Sequence, residues 1–474
     1  MDAEGSNAGS PFASRRAGVL LHVASLPGES PTGTLGADAR RFVDLLAAAG
    51  FSVWQMLPVG PGDSPYGSRS SHAGDPRLLD PGEREPGDEA EGPARAAFCA
   101  AQSGWLEDFA LFTALAEMHG GSDWWRWPQP LRDRQPAALA WARRAHASVL
   151  ERVRREQYQF HRQWQALRDY ARMRGVLLFG DVPVFVAGDS ADVWVHREFF
   201  RLESDGRPWV VAGVPPDYFS AEGQRWGNPL YDWERLRNDG FSWWIERLRT
   251  HLARFDLLRI DHFRGLQAFW EIPRDAPSAR HGRWVEAPGR ELFEVIRSEL
   301  GGGRLVAEDL GTITPEVVAL REEFVIPGML VLQFAFDGGA ENPYLPHNHV
   351  RRAVVYTGTH DNDTTAGWWR TLDRDGRQRV CAYFGREDPP IPETLVRAAY
   401  ASVAQLAIVP LQDLLGLGSQ ARLNIPGKAE GNWGWRFAWG DVPDELAGAQ
   451  RRLLGIYSRL PQAGAVADGR SARR

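Results

Sequence analysis

Cysteine is nearly missing from this chain. Cys99 and Cys381 are the only two in 474 residues, which excludes a disulfide framework and a zinc site built on thiolates. Lysine is scarcer still: Lys428 stands alone against 54 arginines, and Ala429 follows it, so the GxxxxGK[ST] phosphate loop is excluded. A lysine Schiff base would have to use Lys428 itself, in the turn-like IPGKAEG, where a solvated loop lysine is the simpler account. No apolar run approaches the ~18 residues that cross a bilayer. A net charge of −6 leaves no basic excess for nucleic acid or an anionic membrane. Also lacking are HExxH, GxSxG and a GxGxxG after an early apolar run, which removes the commonest zinc-protease, serine-hydrolase and dinucleotide-binding readings. The start, MDAEGSNAGSPFASRRAG, has no apolar core of the secretory kind. It reads as a frayed terminus, as does 463–474, and a reducing, cytoplasmic compartment fits.

What the chain has in quantity is tryptophan, 20 against 5 methionines. Trp124, Trp125, Trp127, Trp226, Trp433 and Trp435 lie outside any helical stripe. Burial is the ordinary explanation for most of them. A Trp face also suits a ligand that is apolar on its faces and polar at its edges, as sugars are.

Short apolar runs recur with helical periodicity between them. They are Gly18–Val23, Ser52–Leu57, Gly175–Asp181, Asp256–Asp261, Arg304–Asp309, Leu330–Phe336, Ala353–Gly358 and Leu406–Asp413. Phe241, Trp244, Ile245, Leu248, Leu252 and Phe255 mark an amphipathic helix before the fourth run, and Leu292, Val295, Ile296 and Leu300 one before the fifth. Helices are also expected over Ala39–Ala49 and Pro392–Gln405. Eight near-continuously apolar strands alternating with helices predict an α/β fold, a (β/α)8 TIM barrel. A doubly wound open sheet is the alternative. Two connections are too long for plain loops. We read 1–474 as a single catalytic barrel domain with insertions at about 58–174 and 182–240, both on the C-terminal face.

In such a barrel the chemistry gathers where strands end. The third run ends at Asp181, the fourth at Arg259 and Asp261, the fifth at Glu308 and Asp309, and the seventh leads into His360 and Asp361. One acid at a strand end is usually a cap or an ion-pair partner, and Asp361 in HDND reads equally as a turn residue. Several acids on adjoining strands would repel one another and raise at least one pKa, an arrangement seldom kept for stability. A retaining glycosidase needs such a pair of carboxylates, one as nucleophile and one as acid and base. The metal alternative is weaker, because His347 and His349 are a lone pair in a Pro/Asn-rich loop.

RIDHFRGL (259–266), AEDLG (307–311) and TGTHDNDT (357–364) resemble the three catalytic motifs of the α-amylase-like barrel enzymes. More narrowly, the chain resembles the 4-α-glucanotransferases, the amylomaltases or disproportionating enzymes of glycoside hydrolase family 77. LLHVASLPG, SPYGS (64–68), DVPVFVAGDSADVW (181–194), GVPPDYFSAEGQRWGNPLY (213–231) and RLNIPG (422–427) support this in chain order. PPDYFS with GQRWGNP is specific to that family. The resemblance implies that Asp261 is the nucleophile, Glu308 the general acid and base, and Asp361 a third carboxylate on the ring hydroxyls of a distorted sugar. Arg259 would hold Asp261 ionised. His360 and Tyr66 would line the same donor subsite, Asp217, Tyr218, Phe219 and Trp226 would belong to a loop over the acceptor side, and Asn424 to the binding rim. It also implies maltooligosaccharides and α-1,4-glucans as substrates, retaining double displacement, no cofactor and no metal, no nucleic-acid or membrane partner, and a monomer or homodimer. The N-terminal region is similar to the short form of the family. A plain α-glucan hydrolase would share every one of these catalytic residues, and a non-catalytic glucan-binding relative would keep the groove without turnover.

Overall fold

The computed structural model describes residues 11–83, 88–216, 222–428 and 430–461, with 88–91 by their backbone alone. Its main sheet has eight parallel strands. These are β1 (Arg16–Leu20), β2 (Val53–Gln55), β3 (Leu177–Pro183), β4 (Leu257–Asp261), β5 (Leu305–Ala307), β6 (Gly328–Val331), β7 (Ala353–Tyr356) and β8 (Leu406–Pro410). Each pairs with its chain neighbour, and β8 pairs back onto β1. At the remaining seam, β5 to β6, Ala307 N donates to Pro327 O at 2.8 Å. The carboxylate of Asp309 finishes that seam, accepting from Met329 N at 2.7 Å and pairing with Arg321 Nε at 3.1 Å. With helices between the strands, this is a (β/α)8 barrel.

The two-residue period of a strand decides what faces the barrel axis. Leu20, Val53, Phe179, Leu257, Val306, Val354 and Ile408 pack inside, while Val19, Trp54, Leu178, Leu258, Ile260, Ala307 and Val355 meet the helices. Following the inner row toward the C-terminal ends carries Phe179 to Asp181, Leu257 to Arg259 and Asp261, Val306 to Glu308, and Val354 to Tyr356. The bottom of the barrel is thus apolar and its top polar. Gly18 belongs to the same inner row. A Cβ there would come within 2.5 Å of Val53 O and 2.7 Å of Ile408 Cδ1, so only glycine lets β1 sit between its neighbours.

The sixth apolar run, Leu330–Phe336, is strand only as far as Val331. A 3-10 turn, Leu332–Phe334, follows. Leu332, Ala335 and Phe336 remain buried, so the run reports continuous burial rather than continuous strand.

The connection from β2 to β3 is largely helical: Asp88–Ala101, Ser103–Met118, Pro136–Ala145 and Ala147–Met173. Trp124 and Trp127 are buried within it, Trp127 edge-on to Trp194 at 5.6 Å, so they serve packing. The connection from β3 to β4 supplies two strands, Val210–Val214 and Gln224–Pro229, which join Ala268–Pro273 and Arg283–Glu286 from the connection after β4 in an antiparallel four-stranded sheet. Among the described residues no helix is long and apolar enough to cross a membrane.

Several histidines are locked inside this frame. His72 is buried, with Nδ1 2.8 Å from Thr250 Oγ1. Burial holds its pKa down at about 4, against the charge of Asp192. In the unfolded chain the same ring protonates near 6.5. Below pH 6.5 the unfolded state therefore binds the extra proton, and stability is lost as pH falls toward 4. Upward-shifted carboxyls such as Asp309, pushed by burial to about 7, act with the opposite sign, so the effect must be read as a difference. We expect His72→Asn, which keeps a partner for Thr250, to lose stability less steeply than wild type between pH 6.5 and 4. The gap is up to about 1.4 kcal/mol per pH unit, read from urea midpoints. Parallel curves for the two proteins would show that His72 is not a neutral, buried ring.

Candidate active site

The parallel register assembles the top of the barrel. Asp181 stands opposite Arg259, and Pro183 opposite Asp261. On the other side Ile260 stands opposite Ala307, so Asp261 and Glu308 come side by side one step beyond. Backbone bonds continue the pairing, Glu308 N to Ile260 O at 3.0 Å and Phe263 N to Glu308 O at 3.1 Å. Both carboxylate oxygens of Glu308 accept from the backbone, Oε2 from His262 N at 2.7 Å and Oε1 from Leu310 N at 2.9 Å. To aim its N–H back at Glu308, His262 takes a left-handed conformation with φ 53°. That costs a non-glycine residue roughly 1–2 kcal/mol, and such strain gathers at functional sites.

Arg259 is the electrostatic hub. Its Nη1 lies 2.6 Å from Asp181 Oδ2 and its Nη2 2.8 Å from Asp261 Oδ1. Both charges of the first pair are buried. The Tyr66 hydroxyl donates to the same Asp181 oxygen at 2.7 Å, and burial, with Asp181 beside it, keeps that phenol well above its ordinary pKa. Its one proton being spent, the Tyr66 oxygen accepts from His360 Nε2 at 2.8 Å. This network assigns the proton of a neutral imidazole to Nε2, and burial lowers the His360 pKa in agreement. The ring of His360 stacks on Tyr66 at 5.4 Å and 17°. Asp361 Oδ2 lies 3.4 Å from His360 Nε2, and Oδ1 accepts from Asn424 Nδ2 at 2.5 Å. Arg422 ties the two segments together, donating to the carbonyls of Asp361 at 2.6 Å and Asn424 at 2.7 Å.

One expectation needs correction here. Arg259 does not by itself decide the state of Asp261. Burial pushes this carboxyl up, Arg259 opposes, and the charges of Asp181, Glu308 and Asp361 add to the rise, carrying it to about 8. Glu308 is raised as well, by burial first, against Arg259 and its two backbone donors. Two acids this close titrate as a pair. Both carboxyls are thus pushed upward, and a raised carboxyl is the condition a general acid needs.

Tyr66, Arg259, Asp261, Glu308, His360, Asp361 and Asn424 thus converge on one cleft. Trp226 stands at its edge, 39% exposed, with its ring perpendicular to that of His262 at 4.8 Å. Asp217, Tyr218 and Phe219 lie outside the described residues. His347 and His349 lie elsewhere, their ring nitrogens within hydrogen-bond distance of Tyr383, Ala340, Ser402 and Tyr344. Asp309, adjacent to Glu308, is turned to the barrel seam and not to the cleft.

Two more residues belong to the cleft. Asp181 is the shared partner of Tyr66 and Arg259, and its place at the end of the third apolar run was the signal for it, though no role was assigned to it. Trp433 packs against Tyr66 and His360 at 6.0 and 6.1 Å, again in a left-handed conformation, φ 66°. It closes a groove of about 380 Å³ whose walls include Asp63, Ser64, Arg69, Asp189 and Asn432.

The chain matches the family model described as 4-alpha-glucanotransferase (Glyco_hydro_77) in two overlapping segments, residues 21–92 and 82–441. It is 47% identical to a 4-alpha-glucanotransferase of Thermus thermophilus, over 94% of this chain and 99% of that one. It is 44% identical to a 4-alpha-glucanotransferase of Synechocystis, over 94% and 98%. Among solved structures, amylomaltase from Streptococcus agalactiae in complex with acarbose superposes with a TM-score of 0.90 at 34% identity. That match covers 94% of this chain and 100% of the other.

Proposed function

This chain belongs to the 4-alpha-glucanotransferase family, and from that membership we propose a retaining double displacement carried by Asp261, Glu308 and Asp361. The enzyme transfers segments of 1,4-α-D-glucan to the 4-hydroxyl of an acceptor glucose or glucan. The observation that carries the reading is the placement of Asp261 and Glu308 side by side at the ends of β4 and β5, with Asp261 Oδ1 2.8 Å from the Arg259 guanidinium.

When Glu308 holds a proton, one of the charges that raise Asp261 disappears. The ion pair to Arg259 at 2.8 Å then favours the Asp261 carboxylate. Asp261 attacks the anomeric carbon while Glu308 protonates the departing glycosidic oxygen. The sugar is then held as an ester on Asp261, and Glu308 is ionised. Glu308 next takes the proton of the incoming 4-hydroxyl, which displaces Asp261 and restores the starting state. Asp361, oriented by Asn424, accepts from ring hydroxyls as the sugar flattens. The carboxylates account for every proton and bond in this sequence, so the reading calls for no cofactor or metal. Its substrates are maltooligosaccharides and longer α-1,4-glucans, and it places the enzyme, as monomer or homodimer, in the cytoplasm, where Cys99 and Cys381 remain free thiols.

Incubation with maltotriose is the direct test. Transfer gives glucose together with maltopentaose and longer chains, with the α-configuration kept. Glucose and maltose in equal amounts, with nothing longer than the substrate, would make the enzyme a hydrolase.

Trp226 gives that balance a handle. Its exposed face at the cleft edge suits stacking on an acceptor sugar. Trp226→Ala should raise the ratio of hydrolysed to transferred product by about threefold to tenfold, the effect of losing ~1 kcal/mol of stacking. The ratio is read from free reducing ends against chain-length distribution. An unchanged ratio would remove Trp226 from the acceptor side.

A further inference from the structure

The loop that delivers His360 and Asp361 leaves β7 at Thr357 and enters the helix Thr365–Thr371. Its two ends meet on one side chain, Asp413, in the short helix Leu411–Leu414 that caps β8. Asp413 Oδ2 accepts from Thr357 Oγ1 and from Thr365 Oγ1, both at 2.6 Å, and Oδ1 accepts from Thr365 N at 2.7 Å. Asp413 is 3% exposed and both threonines are wholly buried. No cation is paired with this carboxylate among the described residues, so its burial is offset by those loop donors. An unpaired buried carboxylate is costly, and short hydroxyl-to-carboxylate bonds are the strong kind that repays it.

Within the clasped span the backbone is held by separate bonds. Asn362 Oδ1 accepts from Thr359 N and Thr359 Oγ1, both at 2.9 Å, and Gln333 Nε2 donates to Asp363 O at 2.9 Å. None of these uses the Asp361 carboxylate or the His360 ring, which are left to the cleft. We propose that Asp413 is a positioning residue, fixing both ends of the 357–365 loop so that His360 and Asp361 meet the sugar in a preset geometry. Placing a reacting group about 1 Å wrong can cost roughly a hundredfold in rate, and a loop pinned at both ends by one buried side chain just beyond β8 avoids that error. The proposal rests on the reading of Asp361 as the carboxylate that holds the distorted sugar.

The test is a double-mutant cycle in maltotriose disproportionation with Asp413→Asn, Asp361→Asn and the two combined. Asp413→Asn should lower kcat about tenfold to a hundredfold with KM changed less than about threefold. In the Asp361→Asn background it should cost little more, because its effect passes through the same loop. Losses that multiply in full, or a wild-type kcat for Asp413→Asn, would overturn the proposal. A near-wild-type rate for Asp361→Asn would instead overturn the reading of Asp361 itself. Should Asp413→Asn fail to fold, Thr357→Val with Thr365→Val removes both hydroxyls at constant shape, and the pair of Ser substitutions restores them. Lost kcat in the Val pair and recovered kcat in the Ser pair support the clasp, and equal rates in the two pairs overturn it.

Discussion

Asp261→Asn is expected to lower disproportionation of maltotriose by three to five powers of ten while leaving the protein at least as stable as wild type. The rate follows from the chemistry. An amide cannot form the glucosyl ester, and each power of ten corresponds to about 1.36 kcal/mol of transition-state stabilisation. The stability follows from electrostatics. Asp261 is raised to about 8 by burial and by Asp181, Glu308 and Asp361. A carboxyl whose folded pKa lies above its unfolded one binds more protons in the folded state, so it lowers stability progressively as pH rises from about 4 to 8. Asparagine removes that liability at nearly constant shape, and Arg259 keeps its partner Asp181 at 2.6 Å. At pH 7 the thermal midpoint should therefore stay level or rise. Retention of more than about a tenth of the activity would displace Asp261 as nucleophile. A clearly lowered midpoint would mean that the Arg259 pair outweighs the repulsion. The prediction separates a residue kept for chemistry from one kept for the fold, since these two effects have opposite signs here.

The strands of the barrel were readable because inner and outer faces are both apolar, which leaves near-continuous runs with polar residues only at the C-terminal tips. The same logic separates neighbours that the sequence alone leaves ambiguous. Glu308 and Asp309 are adjacent, and either could have been the acid. Val306 faces the barrel axis, so a two-residue period carries Glu308 inward and turns Asp309 to the seam, where it bonds Met329 and Arg321. Asp181 was seen at a strand end but given no role, because its motif, DVPVF, carries no second acid or base nearby. Its importance comes from Tyr66, 115 residues away in sequence, and from Arg259. The second sheet was not legible at all. Its four strands come from two separate connections, and Gly213 and Gly227 interrupt any alternation. Trp433 was visible as an aromatic residue out of pattern, but only packing shows that it meets Tyr66 and His360 where it leaves the barrel interior. Asp413 lies in the apolar run LAIVPLQD, where nothing local marks its tie to Thr357 and Thr365.

Glu308→Gln should separate the two half-reactions and alter both limbs of the pH profile. On maltotriose, whose leaving group needs a proton, the rate should fall by at least three powers of ten. On α-maltosyl fluoride the leaving group needs none, so the ester on Asp261 still forms. Its transfer to a sugar then stalls, because the amide that replaces the Glu308 carboxylate cannot take the acceptor's proton. Azide, which carries no proton to remove, should relieve that stall and give the α-azide, with configuration retained. In the wild type Glu308 must be protonated for the first step, so activity is lost as pH rises through its raised pKa. With glutamine in its place that basic limb should flatten in the residual reaction of maltotriose. The acid limb moves as well. Glu308 is one of the charges that lift Asp261, so neutralising it lets Arg259 hold the nucleophile ionised to lower pH, and the acid limb should shift downward. Two independent signs are therefore required of one substitution. A basic limb that survives in the maltotriose reaction would give the acid's titration to another group. An acid limb that stays in place would mean that Asp261 and Glu308 do not share a proton, and the coupled carboxylate pair on which the mechanism stands would have to be given up.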